Sequence, residues 1–293
     1  MSLSLTRLER LLLPMADGMR EHAAAEDPRA MTARSRAVQA RHRASLGYAA
    51  CAVPLLTPPA AQPKLAKSHL PTYGLTLLPA MTHGIVGANA CPMSTAGCRA
   101  ACLATAGKGG LASVESARRA RTRFLAEHPR EAGVILAAEL AAARARHGAI
   151  GMRWNVNADI RWELVVPDML QHYAAGGVRS YDYTKWPPRH RQGAAAVGLH
   201  LTYSAHERMS VADIAAMIGE GRNVSVVFDA SKATVRQACA DGLHWQGLLP
   251  LTDGVSTDDR TGDAPGTVVA LAALGRAKSD RSGFVRPAVF HRP

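Results

Sequence analysis

The run Ile150-Gly151-Met152-Arg153-Trp154-Asn155-Val156-Asn157-Ala158-Asp159 decides how this chain is read. It begins as a short, mostly apolar stretch of strand length and collects Arg153, Asn155, Asn157 and Asp159 where that strand would end. The same design repeats on both sides of it. Apolar runs recur at residues 73–78, 178–183, 199–203, 224–228, 248–251 and 268–274, and helical patterns lie between several of them, at 112–127, 131–147, 166–174, 211–218 and 232–240. Strands alternating with helices build a parallel sheet. About seven strands in roughly 220 residues, with later connections too short for a second domain, predict an α/β chain of the (β/α) TIM-like barrel type, irregular or incomplete, rather than a doubly wound sheet. No glycine-rich dinucleotide fingerprint follows the first strand.

The ends of the other runs are chemically similar. Asp182, Tyr183 and Lys185 close one, and Ser204, Asp229 and Asp253 close the next three. In a (β/α) barrel all these ends converge on the face that carries the active site. A single Asp or Asn there can simply cap the next helix, but the recurrence across strands points to a site.

Residues 1–71 look different. Leu3, Leu5, Leu8, Leu11 and Leu12 form one apolar helical face, and Arg29 to Arg43 holds five arginines without an acid. Pro54, Pro58, Pro59, Pro63 and Pro71 then interrupt regular helix. The expectation is a basic helical N-terminal extension with a Pro-rich connection, appended to a catalytic barrel domain at 72–293.

With 293 residues, 47% of them hydrophobic and 20% charged, the chain can bury a full core, which excludes wholesale disorder. No apolar run approaches the ~20 residues of a membrane span, and Met1 to Met15 carries Arg7, Glu9 and Arg10, so a soluble cytoplasmic chain without a signal peptide is expected, in the host cytoplasm if phage-encoded. The 35 Lys and Arg against 23 Asp and Glu give a formal charge of +12. Such a balance suits a phosphate-rich partner, and Arg118, Arg119, Arg121 and Arg123 are candidates for DNA binding beside the clusters at 29–43 and 276–292.

Of five cysteines, Cys91, Cys98 and Cys102 fall within twelve residues. Cys98 and Cys102 are one helical turn apart, and a loop-borne Cys91 can fold back to complete a three-thiolate corner. One metal centre is expected on these thiols, zinc or an iron–sulfur cluster. Zinc would need a fourth ligand such as His83, whereas a cubane cluster can leave one iron open.

Several segments together resemble a phage protein family. They are Pro63-Lys64-Leu65-Ala66-Lys67-Ser68, Leu77-Leu78-Pro79-Ala80, Cys91-Pro92 through Cys102, Arg153 through Glu163, Tyr181-Asp182-Tyr183-Thr184-Lys185, Asp253-Gly254 and Ser282-Gly283-Phe284-Val285. The resemblance covers about residues 63–286 and is to phage DNA guanine transglycosylases, relatives of the tRNA-guanine transglycosylases. It implies a (β/α) barrel in which one Asp attacks the sugar C1′ and releases guanine, while a second carboxylate manages the protons of the leaving base and the incoming 7-deazaguanine. Asp159 and Asp182, at neighbouring strand ends, are the pair for these roles and Asp253 the reserve, while Arg153, Asn155, Asn157, Tyr183 and Lys185 are substrate-binding candidates by their position alone. An oxocarbenium-like transition state needs such a carboxylate at the anomeric face and a separate acid or base. The implied partners are double-stranded DNA and free guanine or a 7-deazaguanine base. A guanine extruded from the duplex needs planar groups to hold it, for which Trp154, Tyr183 and Trp186 are available. Two features depart from the tRNA enzymes: their three-Cys, one-His zinc site lies late in the chain, and their Gly-rich base-recognition segment has no counterpart here.

Two other functions fit parts of the pattern. A cluster on the loop after the first strand of a partial barrel is the arrangement of radical S-adenosylmethionine enzymes, although their usual three and two intervening residues are six and three here. A non-catalytic DNA-binding protein with a structural metal would carry the same charge, but several carboxylates at adjoining strand ends would repel phosphate.

Overall fold

In a computed structural model, described for residues 4–62, 65–80 and 88–293, each of the seven apolar runs contains a strand. They are β2 (Thr72–Leu75), β3 (Ile150–Arg153), β4 (Val178–Thr184), β5 (Leu199–Ser204), β6 (Val224–Phe228), β8 (Leu249–Asp253) and β9 (Val268–Ala272). Four two-residue strands complete the set: β1 (Leu56–Thr57), β7 (His244–Trp245), β10 (Val285–Arg286) and β11 (Phe290–His291). The fold is mixed α/β with one large sheet in the order β1-β2-β3-β4-β5-β6-β9-β8-β7-β11, and β10 lies beside β6. From β2 to β8 along this order every pairing is parallel, while β1, β7 and β11 pair antiparallel at the ends.

The helices are α1 (Arg7–Leu12), α2 (Met15–Ala24), α3 (Pro28–Ser45), α4 (Ala96–Ala100), α5 (Ala112–Glu127), α6 (Pro129–His147), α7 (Trp162–Val165), α8 (Pro167–Ala175), α9 (Val211–Gly219) and α10 (Lys232–Ala240). Among the described residues none is long and apolar enough to cross a membrane.

Strand alternation divides the central sheet into two chemically distinct faces. Ile150, Met152 and Trp154 share a core cluster with Val178 and Leu199 and with Ile135, Leu136 and Leu140 of α6. The opposite set includes Arg153, Tyr181 and His200, aligned in register across β3, β4 and β5. Here the structure departs from regular alternation. The connection from β8 to β9, residues 254–267, contains no helix and carries Asp258 onto this second set, where Arg153 donates to both its oxygens at 2.8 and 2.7 Å and the Tyr181 hydroxyl lies at 3.1 Å. Returning this way, the chain places β9 between β6 and β8.

The N-terminal segment is helical as expected, but it is not an appendage. Leu8, Leu12, Met15 and Met19 are buried in the same cluster as the central strands. α2 and α6 cross closely at two glycines: a Cβ on Gly18 would stand 1.9 Å from the Arg130 carbonyl oxygen, and one on Gly133 would stand 2.2 Å from that of Met15. The apolar stripe read from the leucines therefore has a partner, and that partner is the body of the protein.

Glu9 fixes this arrangement. Its carboxylate accepts the Thr6 backbone N–H at 2.7 Å in a capping box, and it accepts from Arg161 through the backbone N, Nε and Nη2 at 3.0, 2.9 and 2.7 Å. Both side chains are 1% exposed. Burial by itself would raise the Glu9 carboxyl; the hydrogen bonds from Arg161 and Thr6 outweigh it and hold the group below its ordinary range. Replacing Glu9 with Ala leaves the Arg161 guanidinium buried without its counter-ion, so urea denaturation should show a loss of about 3–5 kcal/mol. An unchanged midpoint would mean that the helix does not depend on the pair.

Candidate functional site

After Arg153 the chain leaves β3 and is organised by Asn155. The Asn155 backbone N–H and Nδ2 both donate to Asp182, at 2.6 and 2.8 Å, and its Oδ1 accepts from the Ile160 N–H and from Trp162 Nε1 at 3.0 and 3.1 Å. Asp182 is thus 0% exposed, with both oxygens committed to Asn155. Burial pushes its carboxyl up to about 7, against the hydrogen bonds from Asn155. The two residues that the sequence offered as a member of the catalytic pair and a substrate-binding candidate form an internal brace between β3 and β4.

Asp159 stands further along the same loop and is 7% exposed. Its Oδ1 accepts the Thr184 hydroxyl at 2.7 Å and its Oδ2 the Lys185 backbone N–H at 2.8 Å, with Arg191 Nη1 3.5 Å from Oδ1. Its own N–H donates to the Ala90 carbonyl at 2.6 Å and its carbonyl accepts from Trp186 Nε1 at 2.9 Å. Burial raises this carboxyl, and Arg191 is the first group opposing the rise. Arg191 is held by Glu163 through its Nε and through its Nη2 at 3.0 Å.

The cysteine loop meets Asp159 at this point. Cys91 Sγ lies 3.3 Å from the Asn157 carbonyl. The Cys91 thiol is pushed well up, by burial first and then by the charges of Asp159, Cys102 and Cys98, while Lys185 opposes. Cys102 is likewise raised by burial and by Cys98. The three thiols, Asp159 and Lys185 therefore share one electrostatic neighbourhood. The three sulfurs do not all lie within 4.8 Å of one another. His83, the expected fourth ligand, lies outside the described residues.

Thr95 caps α4 by accepting the Cys98 N–H at 3.2 Å, and Glu207, from the loop after β5, accepts the Thr95 hydroxyl at 2.6 Å and the Gly97 N–H at 3.0 Å. A Cβ on Gly97 would come within 2.3 Å of Ser282 Oγ and 2.8 Å of Glu207 Oε2. Lys185 Nζ sits 5.6 Å from the centre of the Phe284 ring. The site therefore draws on the segment before α4, the ends of β3, β4 and β5, and the segment entering β10.

The remaining candidates are placed as follows. Arg153 is buried on Asp258 with its guanidinium 4.7 Å over the half-buried Tyr183 ring. Asn157 is half-buried, and its Nδ2 has no hydrogen-bond partner among the described residues. Asp253 accepts from Val255 N and Ser256 N at 2.6 and 3.1 Å, a local turn that starts the 254–267 connection. Trp154 is fully buried, with Nε1 donating to Ser180, while of the other planar groups Trp186 is bonded to the Asp159 carbonyl and Tyr183 lies under the Arg153 guanidinium.

The arginines of α5 do not form a free basic face. Arg118 is buried and donates to the Ala104 and Gly109 carbonyls at 2.8 and 3.0 Å, bracing the loop after Cys102, and Arg121 donates to the Thr76 and Pro54 carbonyls. Arg119 and Arg123 pair with Glu115 and Glu127 one turn away. Exposed cations near the cysteine loop are Arg99 within it, Lys108 just after it, and Arg276, Lys278 and Arg281 in the segment after β9.

The family model for gene product 88 matches residues 54–288. The chain belongs to the gene product 88 family. Every group named around Asp159 and the cysteines lies inside the matched region, whereas α1, α2 and α3 precede it. No curated protein and no solved structure matches the chain. Sequence reasoning missed Thr184, Arg191, Glu163 and Glu207. Looking two or three residues beyond Ser204, as was done beyond Arg153, would have found Glu207; the pairing of Arg191 with Glu163 spans 28 residues and had no local signal.

The folded Asp182 carboxyl titrates near 7 and an unfolded one near 4, so folding binds a proton between these values. The stability this group contributes is complete below about pH 4, falls as pH rises through 7, and is level above that. Asp182→Asn should flatten the pH 4–7 slope in denaturation midpoints. It should also destabilise the protein throughout, because an amide cannot accept at both atoms from Asn155. A slope identical to wild type would reassign the titration.

Proposed function

We propose that the chain exchanges guanine in DNA for a 7-deazaguanine base, with the sheet wrapped as an irregular (β/α) barrel whose reacting centre is Asp159. The observation that carries this is the setting of the Asp159 carboxylate. It lies at the carboxyl ends of two adjacent parallel strands, oriented by Thr184 and the Lys185 N–H, with Arg191 near one oxygen. A carboxylate nucleophile at an anomeric carbon requires such fixed orientation. In the exchange an Asp159 oxygen bonds to C1′ as the C1′–N9 bond breaks. The electron pair leaves with guanine, which takes up one proton. The incoming base gives up its N9 proton, N9 attacks C1′, and the carboxylate is released.

Asp182 serves this centre as a positioning residue, through Asn155, rather than as a proton carrier in contact with the base. Lys185 and Trp186, hydrogen-bonded to Asp159, with Asn157 on the same loop and Tyr183 on β4, are the groups to hold the extruded base. Arg276, Lys278 and Arg281 take the place of the α5 arginines as the surface for DNA phosphates, supported by their exposure beside the cysteine loop.

The test is base exchange: duplex DNA with labelled guanine is incubated with unlabelled guanine or a 7-deazaguanine precursor, and release is counted. Asp159→Asn should abolish release while leaving DNA affinity near wild type, since removing a carboxylate does not weaken phosphate binding. Exchange at the wild-type rate by this variant would reject the nucleophile.

A second reading rests on the thiols. A single zinc with bonds of 2.3 Å would draw three sulfurs to within roughly 3.8 Å of one another. An iron–sulfur cluster, in which each thiolate binds a different iron, is the other centre that Cys91, Cys98 and Cys102 could hold, and their shared electrostatic neighbourhood supports one centre on all three. Cys91, Cys98 and Cys102 would hold such a cluster, with Lys185 in the same electrostatic neighbourhood, and it would supply radical chemistry on S-adenosylmethionine as the alternative activity. Anaerobically purified protein should contain iron and absorb in the visible, and Cys→Ser at the three positions should remove both. Zinc without iron, or full metal retention in the triple variant, would reject the cluster.

A further inference from the structure

A second group of metal-ligand side chains stands apart from the cysteines. His42 is in the last turn of α3, Glu127 is the last residue of α5, and His128 links α5 to α6. One ligand atom from each lies within 4.8 Å of the others, and among the described residues this is the one such group of three. The His42 side chain is 4% exposed, with Nδ1 3.4 Å from Glu127 Oε2, while its Nε2 is buried with no hydrogen-bond partner among the described residues. Buried imidazoles ordinarily satisfy both nitrogens. The two imidazoles meet edge to face at 5.0 Å, and Phe124 closes one side with its ring 5.7 Å from His42 and 5.5 Å from His128.

We propose that His42, Glu127 and His128 bind one divalent transition-metal ion, zinc by preference, and that the ion pins α3 to the junction of α5 and α6. Two imidazole nitrogens and one carboxylate oxygen are a recurrent zinc donor set, with the fourth position left for water. Tetrahedral bonds of about 2.0–2.1 Å require donors roughly 3.3 Å apart, so the three must close by about 1.5 Å from the outer limit of their present spacing. Glu127, 42% exposed, has the freedom to do so. Its other oxygen is held 3.1 Å from Arg123 Nε, which orients the carboxylate and also offsets part of its charge. The site therefore binds less tightly than a site with a fourth protein ligand. His42 precedes the region matched by the gene product 88 family, whereas Glu127 and His128 lie within it. The ion thus joins a helix outside that region to its body, independently of the activity proposed at Asp159.

The full-length protein, stripped with a chelator, is titrated with Co²⁺ and then Zn²⁺. One equivalent of cobalt should show visible ligand-field bands without the sulfur-to-cobalt charge transfer that thiolates give, which separates it from metal on the cysteines. Glu127→Gln and His128→Asn should each lose that equivalent and bind zinc at least tenfold more weakly, with the circular dichroism spectrum unchanged. Glu127→Gln is exposed and nearly isosteric, so it decides the matter if His128→Asn proves unstable. Zinc affinity equal to wild type in Glu127→Gln, or charge transfer accompanying every bound equivalent of cobalt, would overturn the site.

Discussion

Asp159 is the point at which three other parts of the chain are tied to its own loop. Its N–H holds Ala90 and so the entry to the cysteine loop; its carboxylate holds Thr184 and Lys185 at the end of β4; its carbonyl holds the Trp186 indole; and Arg191 approaches from the segment before β5. A carboxylate taken out of water is costly unless hydrogen bonds replace the water it loses. Here that requirement is met by groups from the end of β4 and the segment before β5, so the same bonds that make the charge tolerable also tie these loops together. The carboxylate best suited to chemistry is therefore also a structural keystone. Substitutions at this position must be judged by binding and fold as well as by turnover.

The second sheet face follows a similar logic at larger scale. Where an apolar layer would complete a core, this protein has Arg153, Tyr181 and Asp258, with Arg260 fully buried nearby and donating to the Asp253 and Thr257 carbonyls at 3.1 and 2.7 Å. A buried ion pair contributes little net stability compared with apolar packing, but removing either partner is expensive. The arrangement gives a reason for the helix-free 254–267 connection. Only an extended segment laid over this face brings both Asp258 and Arg260 to the strands, and a crossover helix on the other face would leave Arg153 unpaired.

Much of the sheet was legible because each central strand is a self-contained apolar run, and α5 and α10 were bounded by their own patterns at Ala112–Glu127 and Lys232–Ala240. What escaped was set by distant partners. The leucines of α1 announce an amphipathic helix but not the surface it covers, so an integral element read as an appendage. Arg118 and Arg121 look like a solvated basic stripe, yet their donors go to carbonyls 9 to 67 residues away. The two-residue strands β1, β7, β10 and β11 are too short to show a period. The strand-end rule located Asp159, Asp182 and Lys185, but it could not tell a carboxylate bonded to Thr184 and Lys185 from one sealed against Asn155, because that depends on how a loop folds back.

The N-terminal helices reach the site through a short physical chain. Glu9 anchors Arg161; the Arg161 guanidinium lies 4.1 Å over the Trp186 ring; and the Trp186 indole N–H is bonded to the Asp159 carbonyl. A desolvated cation over an indole face is attracted to it, and Arg keeps its plane when it stacks. Trp186 is thus clamped between Arg161 on its face and Asp159 at its edge. The helices that precede the family-matched region therefore set the position of a side chain inside it. Without these helices Arg161 would lose its counter-ion Glu9, and the ring and the Asp159 loop would have to be held by other contacts.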